Sequence, residues 1–242
     1  MDKFGLYVPQ LLSFRERFLP QSHPACMGCG VALGIRQTYK ALEDKRGWMK
    51  GASWEIPWRQ PLPGSLSKSK KEAMEEIKPS LLGIEKDSQS SLLICFDNEA
   101  VEGRPGPAMF KKRFTAVAVA RGFHYVATAC PSYPFDLIDK VQRGMETQGN
   151  SYLHILSPCP VAWDFESELT VKIGRLAVEC AIFPLYEAVT GSYRLTVDHP
   201  QIRPVEQYLK IQKRFKRFTQ KEISEIQAAA DRDYATLKEG EV

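Results

Sequence analysis

Apolar and polar positions follow two rhythms along the chain. From Gly30 the run Val31-Ala-Leu-Gly-Ile-Arg-Gln-Thr-Tyr-Lys-Ala-Leu42 repeats apolar residues at three- and four-residue spacing, which predicts an amphipathic helix. Ser91-Leu-Leu-Ile-Cys-Phe96 is an unbroken apolar run of strand length, closed by polar Asp97-Asn98-Glu99 and a Gly/Pro turn through Pro107. Beyond it the rhythms alternate: a helix over 110–122, a strand over 124–129, a helix over 134–148 and a strand over 152–156. A loop over 157–163, a helix near 170–178, a hairpin from 185 to 197 and a helical tail from Pro204 complete the pattern. Short strands alternating with helices predict an α/β fold with a doubly wound, mostly parallel sheet. Residues 1–22 read as an N-terminal arm, 23–200 as the α/β domain and 201–242 as a helical C-terminal tail. Within the domain, 44–90 reads as a connector, with Trp48, Trp54 and Trp58 among prolines and a charged helix-like piece over 69–78.

The chemistry concentrates in His23-Pro-Ala-Cys26-Met-Gly28-Cys29-Gly30, immediately before the first helix. Two cysteines two residues apart form a metal or iron–sulfur ligand pair, and a helix N-terminus stabilises thiolates and anions. Such a pair needs a partner, and Ser157-Pro158-Cys159-Pro160 offers one where an apolar strand stops. A third candidate, Cys130, ends the strand over 124–129 and would join them if that strand neighbours the one leading to Cys159, since parallel strands end on one sheet edge. The alternative for Cys130 is a buried inert thiol, and Cys95 and Cys180 read as core. Asp97 and Asn98 form a carboxylate–amide cluster after a buried strand, where α/β proteins build sites, or else a capped turn. His124, His154 and His199 share no zinc spacing.

Composition sets limits on partners. With 242 residues, 43% hydrophobic and 26% charged, the chain can bury a full core. The net charge of +4 is bunched at Lys68–Lys71, Lys111–Arg113 and Lys210–Arg217, which argues against a nucleic-acid surface; the last cluster reads as a solvated basic face over packed Tyr208, Leu209, Ile211, Phe215 and Phe218. No run approaches the roughly 18 apolar residues of a membrane span, and the N-terminus has no signal-peptide pattern. The expectation is a cytoplasmic protein in a reducing compartment, with its six cysteines free or metal-bound.

His23-x-x-Cys26-x-Gly28-Cys29-Gly30, Trp54-Glu-Ile-Pro-Trp58, Ile94-Cys-Phe-Asp-Asn-Glu-Ala100, Tyr125-Val-Ala-Thr-Ala129, Ser157-Pro-Cys-Pro160, Ile173-Gly-Arg-Leu-Ala-Val178, Pro184-Leu-Tyr-Glu187 and Pro204-Val-Glu-Gln-Tyr-Leu-Lys210 occur in an order that closely resembles the β subunit of pyruvate:ferredoxin oxidoreductase and related 2-oxoacid:ferredoxin oxidoreductases. The resemblance implies a thiamine-diphosphate-binding fold. It implies oxidative decarboxylation of a 2-oxoacid, pyruvate by default, with electrons passing through a [4Fe–4S] cluster to ferredoxin and the acyl group to coenzyme A. Alpha and gamma subunits would be the partners in a hetero-oligomer. By the same resemblance Cys26, Cys29 and Cys159 would hold the cluster; Cys130 would replace the missing fourth ligand only if its strand neighbours the one ending at Cys159. His23, Gly28, Gly30 and Asp97 would border the cofactor, and Asn98 and the carbonyl of Ala100 would lie where the family binds Mg²⁺.

Three departures stand beside the match. The cluster cysteine expected before the Trp-x-x-Pro-Trp stretch is absent from residues 43–53, no Gly-Asp-Gly occurs anywhere, and Val101-Glu-Gly-Arg-Pro-Gly-Pro107 replaces the expected Asn-Thr-Gly turn. A hard cation needs carboxylate oxygen, so the lost aspartate weakens the expectation of Mg²⁺ and thiamine diphosphate. The alternative reading is therefore a degenerate homologue with a structural or regulatory role in such a complex. A zinc-binding structural protein using the same three cysteines is the remaining alternative.

Overall fold

The computed structural model describes residues 25–42, 80–85, 90–99 and 114–240. The arm over 1–22, His23, the tryptophans and charged piece of the connector, and Ala100 with the turn after it lie outside these residues. Six strands form one sheet: β1 (Ser80–Glu85), β2 (Ser91–Asp97), β3 (Tyr125–Ala129), β4 (Ser151–Leu156), β5 (Tyr186–Val189) and β6 (Ser192–Leu195), in the spatial order β1-β2-β4-β3-β5-β6. β4 pairs parallel with β2 and with β3, so the expected parallel core is these three strands. β1, β5 and β6 flank it antiparallel. β1 falls inside the expected connector. Its short run Ser80-Leu-Leu-Gly-Ile-Glu85 is broken by glycine and carries no clear period, but pairing along β2 satisfies its backbone groups.

β3 and β4 are buried along their whole length, which requires cover on both faces. One face carries α1 (Gly30–Leu42) and α3 (Pro134–Glu146), packed on Leu92, Ile94, Phe96, Ala127, Ala129, Leu153 and Ile155. Alternate residues Cys95, Val126 and Tyr152 point the other way, under α2 (Phe114–Ala120). A short α4 (Pro160–Trp163) follows β4 where a loop was expected, because Pro160 presets the first helical turn. α5 (Thr170–Glu179) then joins the C-terminal segment in a second core built on Leu156, Trp163, Ile173, Tyr208, Phe215 and Tyr234.

The tail is not one helix. It runs as α6 (Glu206–Lys210), a 3₁₀ turn over Lys213–Phe215 and α7 (Gln220–Glu239), which starts on a Thr219/Glu222 capping box and stops at Gly240 with φ 77°. Lys210, Lys213, Lys216 and Arg217 are exposed over buried Tyr208, Leu209 and Phe215, as the charge pattern implies, whereas Arg214 turns inward. No helix among the described residues is long and apolar enough to cross a membrane.

The hairpin is anchored by Glu187, a buried carboxylate that takes Arg143 Nη1 at 2.7 Å, the Tyr125 hydroxyl at 3.2 Å and the Arg194 guanidinium. Burial pushes its pKa up, but the bonds from Arg194, Arg143 and Tyr125 outweigh that and hold it below the ordinary 4.5. A depressed carboxyl contributes stability above its unfolded pKa and loses it as pH falls through the folded value. Glu187→Gln is therefore expected to cost about 2 kcal/mol at pH 7. Urea midpoints at pH 7 and near pH 3 should converge between variant and parent at the acid end.

Candidate functional site

Two loops meet at the C-terminal edge of the parallel strands. The backbone N–H of Gly30 donates to the Pro158 carbonyl at 3.0 Å, and a Cβ on Gly30 would lie 2.6 Å from the Pro158 nitrogen and oxygen. The CxxC loop is also held from the side of α5: Thr170 Oγ1 donates to the Gly28 carbonyl at 2.7 Å, and Gly28 sits at φ 70° with the Ser167 carbonyl oxygen occupying the place of a Cβ. Gly28 and Gly30 thus serve close backbone approach.

Each of two thiols lies at a helix N-terminus. Cys29 precedes α1 and takes backbone N–H groups of Ala32 and Val31, and Cys159 caps α4 and takes the Ala162 N–H at 3.4 Å. Burial pushes the Cys159 thiol up to about 12, and the neighbouring thiols of Cys29 and Cys26 push the same way. Burial likewise raises Cys29 and Cys26, with Arg36 opposing it at Cys29. The fold therefore brings the Cys26–Cys29 loop against the Cys159 loop, and backbone N–H groups face the Cys29 and Cys159 sulfurs.

Cys130 is placed differently. β3 does neighbour β4, but Ala129 belongs to the face covered by α1, and strand alternation turns the next residue the other way. The Cys130 side chain is fully buried with Val178 and Leu185, bonds Ser132, and lies 3.0 Å from where a Gly174 Cβ would be. Cys95 sits mid-strand and Cys180 donates to the Pro204 carbonyl at 3.3 Å. None of the six cysteines forms a disulfide, and all lie among the described residues. With Cys95, Cys130 and Cys180 placed elsewhere, the residues do not fit a four-cysteine cluster. Among the described residues, no three His, Cys, Asp or Glu side chains are spaced to chelate one metal ion.

The Asp97-Asn98-Glu99 segment is engaged within the chain. Asp97 Oδ2 pairs with His154 Nε2 at 3.2 Å, while its Oδ1 accepts the Glu99 N–H at 2.8 Å. With the His154 proton on Nε2, Nδ1 is left to accept from the Tyr152 hydroxyl, 3.0 Å away. Trp163 Nε1 donates to the Asn98 carbonyl at 2.6 Å. Arg214 lies 4.0 Å above the Trp163 ring and donates to Glu99 at both Oε2 (3.2 Å) and the carbonyl (3.3 Å), holding Glu99 at φ 45°. Both carboxylates are thus committed to internal cations or donors, and the described residues do not fit a free Mg²⁺–diphosphate site. Sequence reasoning missed this clamp and the Tyr152–His154–Asp97 chain because both depend on strand order: Cys95 pairs with His154, which puts Asp97 one step along the same face.

His154 also walls a cavity of about 490 Å³ between α2, the 181–186 turn and α7, with its ring between Phe114 and Phe183. The cavity lies on the face opposite α1 and is separate from the thiol site.

Over most of its length the chain resembles the beta subunits of 2-oxoacid oxidoreductases. It is 29% identical to the pyruvate synthase subunit PorB of Methanothermobacter thermautotrophicus, over 89% of this chain and 96% of that protein. It is 26% identical to the ketoisovalerate oxidoreductase subunit VorB of Pyrococcus abyssi, over 94% of each. Over 121 residues, half of this chain and 41% of the relative, identity to the pyruvate synthase subunit PorB of Methanocaldococcus jannaschii reaches 44%. No family model matches. The first alignment runs over 280 positions but uses 89% of 242 residues, so roughly 65 positions of it have no counterpart here.

Proposed function

We infer that this chain is the beta-type subunit of a 2-oxoacid:ferredoxin oxidoreductase, with pyruvate as the substrate of the assembly. The observation that carries the reading is the meeting of the Cys26–Cys29 loop with the Cys159 loop, far apart in sequence, in a chain that aligns over 89% of its length with a subunit of such an enzyme. In this reading alpha- and gamma-type subunits supply the substrate side, coenzyme A takes the acyl group and ferredoxin takes the electrons. The contribution of this chain is its thiol site. The α1 and α4 N-termini donate N–H groups to sulfur, and the three cysteines are half-buried at the sheet edge.

A second reading is favoured by the committed carboxylates of Asp97 and Glu99 together with the missing Gly-Asp-Gly: a homologue that assembles with such a complex without holding thiamine diphosphate. Coexpression with alpha- and gamma-type subunits separates the two. Pyruvate- and coenzyme A-dependent reduction of ferredoxin that requires this chain is the result expected from the first reading. A complex that forms but neither binds thiamine diphosphate with Mg²⁺ by calorimetry nor turns over supports the second. Failure to assemble overturns both.

A further inference from the structure

We propose that the cavity between α2, the 181–186 turn and α7 is a binding site for an organic cation, a quaternary or otherwise alkylated ammonium on an apolar body. The proposal goes beyond the oxidoreductase reading and does not rest on it. At about 490 Å³ the cavity falls in the size range of small-molecule sites, whereas close-packed interiors keep few voids larger than a water. It stays open because α7 turns Ala228, Ala229 and Ala230 to it, where longer side chains would close the gap towards α2. Its inner wall is aromatic. The rings of Phe114, His154, Phe183 and Tyr186 line it, and His154 is stacked on Phe114 at a centroid distance of 5.6 Å and stands 5.8 Å from Phe183.

The sign of the ligand's charge follows from what the wall offers. His154 meets Asp97 with Nε2 and Tyr152 with Nδ1, the Thr115 and Tyr186 hydroxyls bond each other, and Thr128 Oγ1 donates to the Pro184 carbonyl and accepts the Tyr186 N–H. An anion leaving water needs donors in their place, and these committed side chains supply none. A cation needs no donor, because the faces of aromatic rings carry the negative part of the quadrupole and attract it directly. A quaternary ammonium has no N–H and so demands no acceptor either, which suits a wall whose polar groups are already paired. The rim agrees in sign. Glu225 and Asp233 stand there with a single guanidinium, Arg232, and the Glu225 carboxylate makes no ion pair among the described residues. Thr236 and Leu237 belong to the last turn of α7, and Ala181 follows the end of α5, so the negative ends of two helix dipoles lie at the cavity, against the start of the short α2.

The test titrates the full chain with benzyltrimethylammonium by ligand-observed NMR, beside two probes of similar outline: neopentylbenzene, in which carbon replaces the nitrogen, and the anion phenylmethanesulfonate. The expected order places the cation first, with about tenfold preference over the neutral probe, the scale of a partly desolvated cation–π contact, and the anion last. Phe183→Leu, which keeps apolar bulk and removes a ring, should weaken the cation about fivefold. Glu225→Gln should weaken it about threefold, the scale of an exposed charge pair, and Ala229→Phe, which fills the cavity from α7, should abolish binding. Equal affinity for the cation and the neutral probe would overturn the proposal, as would preferred binding of the anion, which would assign the site to Arg232. An Ala229→Phe chain that melts like the parent and still binds the cation as the parent does would place the probe elsewhere and overturn it too. Should Ala229→Phe not fold, parent affinity in both Phe183→Leu and Glu225→Gln overturns it instead. A parent chain that binds none of the three probes overturns it outright. None of these outcomes touches ferredoxin reduction or assembly, so the oxidoreductase reading stands or falls separately.

Discussion

Gly30→Ala is expected to separate the two thiol loops and to cost about 1–3 kcal/mol, the range for forcing extra volume into a packed site. The reason is the identity of what the new methyl group meets. At 2.6 Å it meets the Pro158 nitrogen and oxygen and at 2.8 Å the Ser157 carbonyl carbon, all backbone, and none can rotate away as a flexible side chain could. The displacement must also lengthen the 3.0 Å bond from the Gly30 N–H to the Pro158 carbonyl. Two readouts check it. Denaturant unfolding gives the stability loss, and the yield of a short bis-thiol crosslink between Cys29 and Cys159, read by mass spectrometry, gives the separation. Gly122→Ala serves as the comparison, because nothing lies within 4 Å of a Cβ there, although its φ of 80° carries a backbone cost of its own. A Gly30 variant with parent stability and parent crosslinking would show that the loops do not press on each other as described.

Asp136→Ala is expected to have the largest effect on stability, about 3–5 kcal/mol, because it leaves a buried ammonium without its carboxylate. Lys140 is 1% exposed, and its Nζ donates at 2.7 Å to each of three oxygens: Asp136 Oδ2, the Thr128 carbonyl and Thr196 Oγ1. Burial lowers the Lys140 pKa and Asp136 opposes that, so removing Asp136 leaves the burial penalty standing. For a lysine depressed in the folded state, the penalty is full below its folded pKa and fades as pH rises towards the unfolded 10.5. The loss in Asp136→Ala should therefore shrink at alkaline pH. Adding Lys140→Met should recover most of it at every pH, since a volume-matched apolar side chain removes the stranded charge. A double variant no more stable than Asp136→Ala alone, by chemical denaturation, would contradict this account.

The same network shows where sequence reasoning ends. The helix at Gly30–Leu42, the strands at Ser91, Tyr125 and Ser151 and the hairpin at Tyr186 and Ser192 were legible because each is a local pattern of period two or near four, or a turn between two such runs. Lys140 carries no such local signal. Its place one helical turn after Asp136 looks like an ordinary surface pair, and only the packing of α3 against β3 and the 196 region buries it. His154 shares no ligand spacing with the other histidines, yet parallel register brings it to Asp97. Arg214 sat in a run of basic residues that the sequence marks as solvated, and four of its neighbours are; its own guanidinium is drawn under Trp163 and Phe215 to Glu99.

By itself the sequence determined the α/β class, most of the elements and the pairing of a CxxC at a helix start with a distant Cys-Pro at a strand end. These follow from local spacing and from the few topologies that alternating strands and helices allow. Only the tertiary structure decided that β4 lies between β2 and β3, that an antiparallel β1 closes the sheet beside β2, and that Cys130 faces away from the other thiols. The physical reason is the two-residue alternation of a strand. Sequence can place a cysteine at a strand end, but which face it takes depends on which of its neighbours the packed helices bury, and here α1 claims Ala129 and leaves Cys130 to the other side.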